Sequence, residues 1–248
     1  DYDNRNTGSL EALYAIKDLD LTLFAKVATS YAPPSAVDLA FDNDTSTALN
    51  AEESLSYEFG FRHFVAPEKL QYSVTFFRNE IDELLSFEPS TFDTFNIQQA
   101  TTEGAEFEVL YTLNAKVDVS FGYTYLRAVS DQLNDPRTFA FADAASDVPL
   151  ARRARHQVNF AVAYRPMDSV SIGLNAIGQF DREDINPTTF LQEPAEDIFV
   201  MNAVVDWTID SHWSVFARVE NLLDQEYAPA RGFPALGRTG YLGLRASF

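Results

Sequence analysis

Apolar and polar side chains alternate every second residue along most of this chain, and the alternating segments come in pairs separated by only a few residues. A two-residue beat places successive side chains on opposite faces of a strand, so each segment has one apolar face and one polar face. Leu10, Ala12, Tyr14 and Ile16 are followed, across a KDLD turn, by Leu21, Leu23, Ala25 and Val27. Leu55, Tyr57, Phe59 and Phe61 lead through an APEK turn at 66–69 into Leu70, Tyr72, Val74 and Phe76. Ala105, Phe107, Val109 and Tyr111 turn at Leu113 to Lys116 into Val117, Val119, Phe121, Tyr123 and Tyr125. The unit recurs from Val158 to Ala176 and from Phe199 to Val219, and a last segment carries Leu242, Leu244, Ala246 and Phe248 on one face. Eleven strands are expected.

Connection lengths and strand lengths set the architecture. Every other connection is a turn of a few residues, and the rest are loops of about fifteen residues or more, among them 32–52 and 86–101. That asymmetry is expected of a barrel with short turns on one side of a membrane and long loops on the other. The alternation is sustained for about nine to eleven residues, the length of a tilted membrane-crossing strand. The face opposite the apolar one carries Glu58, Arg62, Glu106, Glu108, Asn175, Gln179, Asn202, Asp206, Arg218, Glu220 and Arg245, with Gly60, Gly104, Gly122, Gly173 and Gly243 between them. Such a face suits a wet or plugged lumen, and Tyr164, Trp207 and Trp213 near strand ends suit aromatic girdles. The fold class predicted is therefore all-β, a transmembrane antiparallel β-barrel. With eleven strands the first and the last run the same way and cannot pair antiparallel, so at least one further strand, and by preference a whole set, is expected outside this sequence.

Composition removes several classes. A net charge of -19, from 18 Lys and Arg against 37 Asp and Glu, argues against a nucleic-acid partner. Cysteine is absent, which leaves no disulfide or thiolate metal site. The sequence contains no apolar run of helix-spanning length and no signal-peptide core, and it is expected to be a mature chain or a piece of one. Asp42, Asp44, Ser46 and Glu53 match four places of a calcium loop, but Thr47 stands where that loop needs glycine, so a solvated acidic loop is expected and no metal site. His63, His156 and His212 fall at different strand ends, where no nucleophile, base and orienting group converge. Neither an enzyme nor a cofactor is expected.

NLLDQEY at 221–227, followed by GFPALGR at 232–238 and a strand ending in Phe248, resembles the C-terminus of TonB-dependent outer-membrane receptors, importers of ferric siderophores, haem or vitamin B12. SYAPPSAVDL at 30–39, LNAEESLSYEFGFR at 49–62 and NIQQATTEGAEFEVLY at 96–111 are similar to further segments of that family. AEE at 51–53 departs from the family's proline-glutamate, and Ala246 stands where its assembly signal has a larger residue. The resemblance implies that 1–248 is the C-terminal half of a 22-stranded barrel, with the plug domain and N-terminal strands elsewhere. It further implies active transport in a Gram-negative outer membrane, with the TonB energy-coupling complex, the plug and remaining strands, lipopolysaccharide and a small-molecule ligand as partners.

In that setting the loop aromatics and cations become candidates for ligand contact: Phe41, Phe87, Phe92, Phe95, Arg137, Phe139, Phe141, Arg152, Arg153, Phe190 and Arg231. Arg152, Arg153 and Arg155 also form a cationic group suited to an anionic ligand or to lipopolysaccharide phosphates. The inward charges Glu58, Arg62, Glu106, Glu108, Arg218 and Glu220 are candidates for plug docking, or equally a ladder of cross-strand ion pairs. Tyr241, Gly243 and Phe248 carry the candidate assembly signal. Two other readings remain beside this one, a passive outer-membrane pore and a soluble all-β binding protein.

Overall fold

A computed structural model of the protein describes residues 5–42, 48–66, 69–88, 91–130 and 147–247. Its strands, in chain order, are β1 (Ser9–Ile16), β2 (Leu21–Ala32), β3 (Glu52–Ala66), β4 (Leu70–Glu88), β5 (Asp93–Asn114), β6 (Val117–Ser130), β7 (Val148–Pro149), β8 (His156–Met167), β9 (Val170–Phe180), β10 (Arg182–Ile185), β11 (Gln192–Ala195), β12 (Ile198–Thr208), β13 (Trp213–Glu220) and β14 (Thr239–Ala246). One sheet follows the path β1-β2-β3-β4-β5-β6-β8-β9-β12-β13-β14, with β7 pairing beside β6, and β10 and β11 form a separate hairpin. Each step along the path is antiparallel, so the eleven wall strands anticipated from the alternation are present in the expected order. Among the described residues β1 and β14 each pair on one side only, and they run in the same direction.

Among the short turns, backbone closure builds the first and side-chain caps build two others. Lys17–Leu19 form one 3-10 turn closed by Asp20 in the left-handed region at φ 48. Asn114 Oδ1 accepts the Lys116 N–H at 2.8 Å, and Asp210 Oδ1 accepts the His212 and Trp213 N–H groups at 2.7 and 2.9 Å. These are Asx turns, in which the side chain replaces a backbone acceptor.

The other end of the wall is more structured than loops alone. Residues 86–88 and 93–101, expected in a loop, continue strands: β4 and β5 reach 19 and 22 residues and pair without a change of register up to Glu88 and Asp93. Two such strands exceed the nine to eleven residues needed to cross a bilayer, so the hairpin stands well clear of the wall. Polarity masks this extension in the sequence, because above an apolar belt no lipid imposes an unbroken apolar row on one face. A short helix α1 (Ala36–Ala40) occupies the first long connection, with a reciprocal capping box between Ser35 and Asp38.

Burial follows the same division. Buried apolar residues gather at the loop-bearing end, where Leu49, Ile97, Ala128, Val129, Val148, Ala154 and Ile198 lie. On the outward face of the wall large apolar side chains stay uncovered, with Phe59 at 59%, Trp207 at 51% and Leu244 at 61% exposure. Covering one such side chain is worth about 1.5–3 kcal/mol. A continuous row of them therefore calls for an apolar surrounding.

On the inward face aromatic rings lie over glycines of the adjacent strand. Phe77 is the register partner of Gly104, and a Cβ on Gly104 would meet Phe77 Cζ at 2.9 Å and the Tyr125 carbonyl oxygen at 2.0 Å. Phe216 covers Gly243 in the same way, with ring carbons 2.1 and 2.3 Å from where a Cβ would stand. Gly60, Gly104 and Gly243 on the polar face are thus seats for rings, whereas Gly122 faces Asn159 and Gly173 faces Val204.

Candidate functional site

Three of the loop aromatics meet at the loop-bearing end. Phe41 stands edge-on to Phe87 with centroids 5.4 Å apart, and Phe87 stands edge-on to Phe92 at 6.0 Å. The Phe41 carbonyl accepts the Thr94 N–H at 2.9 Å, which ties the end of α1 to the root of the β4–β5 tip. Phe92 is 62% exposed and holds φ at 53. A bulky side chain in the left-handed region costs of order 1–3 kcal/mol, which packing of so exposed a ring does not explain. Phe190 repeats the device at the tip of β10–β11, with φ 58. Phe95 pairs opposite Ser86 on the other face of the hairpin. Arg137, Phe139 and Phe141 lie outside the described residues.

Arg152 and Arg231 converge on a buried acid that sequence reasoning did not single out. Asp184 in β10 has a side chain 1% exposed and forms an ion pair with Arg152 Nε at 2.7 Å. It also accepts the Arg231 N–H at 2.7 Å and the Ile185 N–H at 2.8 Å. Burial raises its pKa, but the hydrogen bonds from Arg231, Arg152 and Ile185 outweigh it and hold the carboxyl below the usual range. Arg231 Nη1 reaches Glu193 Oε2 in β11 at 2.6 Å. Donation from Asn186 and then from Arg231 holds the Glu193 carboxyl below its usual range as well. Arg182, 4% exposed, donates to the Pro229 carbonyl at 2.6 Å. The β10–β11 hairpin is thereby fastened to the segment after β7 and to the last loop. Arg155 pairs with Asp181 at 2.9 Å, and Arg153 lines a recess with Arg127, Asp147 and Glu183. The cations proposed for an anion are therefore interleaved with carboxylates.

Inward charges line the wall as the alternation predicts. Glu58 pairs with Lys26 at 3.6 Å, and Glu108 accepts the Ser73 hydroxyl at 3.3 Å. Arg62 lies over the Phe24 ring at 5.3 Å. Arg218 pairs with Glu220 at 3.3 Å and lies over the Tyr241 ring at 4.6 Å. Arg245 spans the Phe216 ring, 4.8 Å from its centroid, to reach Asp206 at 3.2 Å. Glu106 makes no ion pair among the described residues. Gly243 and Tyr241 sit in β14, while Phe248 lies outside the described residues.

NLLDQEY is a backbone staple. Asn221, 2% exposed and at φ 52, donates to the Gln225 carbonyl at 2.8 Å and accepts the Gln225 N–H at 2.9 Å. Asp224 Oδ1 accepts the Arg238 N–H at 2.7 Å, and Gln225 Oε1 accepts the Phe199 N–H at 2.8 Å. One short motif thus closes both ends of the last loop and ties it to β12. The histidines stay apart: His63 bonds Tyr72 at 3.0 Å, His156 bonds Tyr123 at 2.8 Å, and His212 lies in the β12–β13 turn. Of the calcium-loop places, Asp44, Ser46 and Thr47 fall outside the described residues.

An antiparallel wall with an uncovered apolar exterior, a charged interior, short turns at one end and built-up loops at the other belongs to the class of transmembrane β-barrels. The family model "TonB dependent receptor-like, beta-barrel" matches residues 1–222, and the chain belongs to that family. Among solved structures, the ferric-catecholate import receptor Fiu from K12 E. coli in its closed form aligns with TM-score 0.75 at 18% identity, over 98% of this chain and 35% of its own. The ferripyoverdine receptor of the outer membrane of Pseudomonas aeruginosa aligns with TM-score 0.74 at 17% identity, over 98% and 33%. The copper transporter OprC aligns with TM-score 0.74 at 15% identity, over 98% and 39%. At these identities the likeness is one of fold. This chain spans about a third of the length of the structures it matches. Barrels of this family reside in the Gram-negative outer membrane.

Proposed function

We propose that residues 1–248 are the C-terminal portion of an outer-membrane receptor that imports a scarce small molecule, a ferric siderophore, haem, cobalamin or a similar metal-bearing ligand, with energy from the TonB complex. The observation that carries this reading is the parity of the wall: β1 and β14 point the same way, so closure needs an odd number of further strands. Eleven more would give the 22-stranded barrel with a plugged lumen. The loop-bearing end then faces outside, with Phe92, Phe95, Phe190, Arg152, Arg153 and Arg231 near the ligand's route. Inside, Glu58, Arg62, Glu106, Glu108, Arg218 and Glu220 present charges to a plug. Glu106 is the first choice among them, because the others already have partners within the wall.

Uptake of labelled ferric chelates, haem and cobalamin by whole cells tests this, in strains with and without the receptor and with and without the energy-transducing protein. Import of one of these ligands that needs both is expected. Uptake that persists without the energy-transducing protein, or steady conductance of the purified barrel in planar bilayers, would refute active transport and identify a passive pore.

A further inference from the structure

A cavity of about 460 Å³ opens on the inner face beneath the last loop, lined by Ile177, Gln179, Ile198, Val200, Asn202 and Tyr227 among others. That volume lies within the ordinary range for small-molecule sites. Four successive strands, β9, β12, β13 and β14, contribute its wall at their loop-bearing ends, and Tyr227, Pro229 and Leu236 of the loop roof it. The roof is fixed: Asn221 Nδ2 donates to the Leu236 carbonyl at 3.3 Å, and the Ala235 N–H donates to the Tyr227 carbonyl at 2.9 Å. A built floor and a stapled roof, open toward the inner face, are the features of a preformed site.

Its chemistry is selective. Glu220, the carboxylate in the lining, is paired with Arg218, and Thr239 Oγ1 donates to the Gly237 carbonyl at 3.0 Å. Asn202 Oδ1 accepts the Asn221 N–H at 2.9 Å, which leaves its amide nitrogen. Among the described residues the Gln179 amide and the Tyr227 hydroxyl make no hydrogen bond. The groups left over are neutral, and between them they both donate and accept, above the aliphatic floor of Ile177, Ile198 and Val200. Among the described residues no Lys or Arg lines the cavity, so a polyanion finds no counter-charge there.

We infer that this cavity is a binding site for an uncharged group with an apolar face and closely spaced hydrogen-bonding functions, hydroxyls or carboxamides. The site rests on the receptor reading only in taking the loop-bearing end as the side from which ligand arrives. Neutral saccharides and blocked peptides share the chemistry required, and both are used as probes.

The experiment is calorimetric titration of the purified full-length receptor in detergent with maltose, with N-acetylglycine amide and with citrate. Expected is binding of at least one neutral probe and none of citrate. Gln179→Leu and Tyr227→Phe, which remove groups without a hydrogen-bond partner among the described residues, each weaken that binding about fivefold, the scale of one neutral hydrogen bond. Asn159→Ala, a change on the inner wall outside the cavity, leaves it unaltered. Absence of binding by both neutral probes, citrate bound as well as they are, or undiminished affinity in both variants overturns the inference. Because no energised cell is involved, loss of uptake in vivo with binding intact counts against the transport reading and leaves the site standing.

Discussion

Replacing Asp184 by alanine should release the β10–β11 hairpin while the wall stays folded. A four-residue pair of strands has little stability of its own in water. Its anchorage is the carboxylate that is 1% exposed and receives Arg152 Nε, the Arg231 N–H and the Ile185 N–H. Each buried donor stranded by the substitution costs about 1–3 kcal/mol. Arg152 is 51% exposed, so water can take over its guanidinium and its share is small. About 3 kcal/mol of local stability is expected to go, which raises the opening equilibrium of the hairpin about a hundredfold. Hydrogen exchange read by mass spectrometry over 182–195 should show that change, with β8 and β9 protected as before. Asp184→Asn, which keeps one acceptor oxygen, should fall between the two. Acid should imitate the substitution. Asp184 and Glu193 have folded pKa values below their unfolded ones, about 3.9 and 4.3, so their stabilisation is complete above those values and is lost as pH falls through the folded ones. Unchanged exchange in 182–195 after Asp184→Ala at neutral pH would refute the anchorage.

The remaining expectations concern the wall and the tips. Gly104→Ala forces a methyl to within 2.0 Å of a backbone oxygen and should cost about 1–3 kcal/mol or more, seen as a lower temperature for loss of heat-modifiable gel mobility. Phe77→Ala removes the ring above that glycine, and in the double variant the clash with the Tyr125 carbonyl should persist, so that no rescue appears in the same assay. Phe92→Gly should stabilise the β4–β5 tip by about 1 kcal/mol by relieving its positive φ, while weakening uptake if the ring meets the ligand. Gln225→Ala removes the acceptor for the Phe199 N–H and should speed exchange in the last loop and at the start of β12 together.

Strand order, face assignment and the short-turn end were legible in the sequence because a membrane wall places its two faces in different media, and the two-residue beat records that difference along the wall strands. Phe59 and Glu58 need no tertiary information to be told apart. The same code fails where the medium is shared. Above the belt no lipid-facing side imposes the apolar beat, so Thr94, Asn96 and Gln99 read as loop although they continue a strand in which Thr94 and Ile97 are buried. Phe24, Phe77 and Phe216 stand on the polar face, and the alternation alone gives no reason for them. Their role depends on which glycine the register sets opposite, and register is a property of pairs of strands. Asp184 was hidden for a related cause: its partners lie 32 and 47 residues away, at Arg152 and Arg231.

This division of legibility bears on where specificity is encoded. A wall read from a local code tolerates exchange of one apolar residue for another, since lipid imposes no shape on the outward face. At the loop-bearing end the contacts are particular: one buried aspartate, one asparagine staple and rings held against backbone preference at Phe92 and Phe190. Change of ligand within such a scaffold therefore falls to the residues between these anchors, since replacing an anchor unfastens a hairpin or a roof before it alters a preference. Gln179 and Tyr227 are residues of that kind, lining a cavity with side chains that make no hydrogen bond among the described residues, and they can be varied at little structural cost.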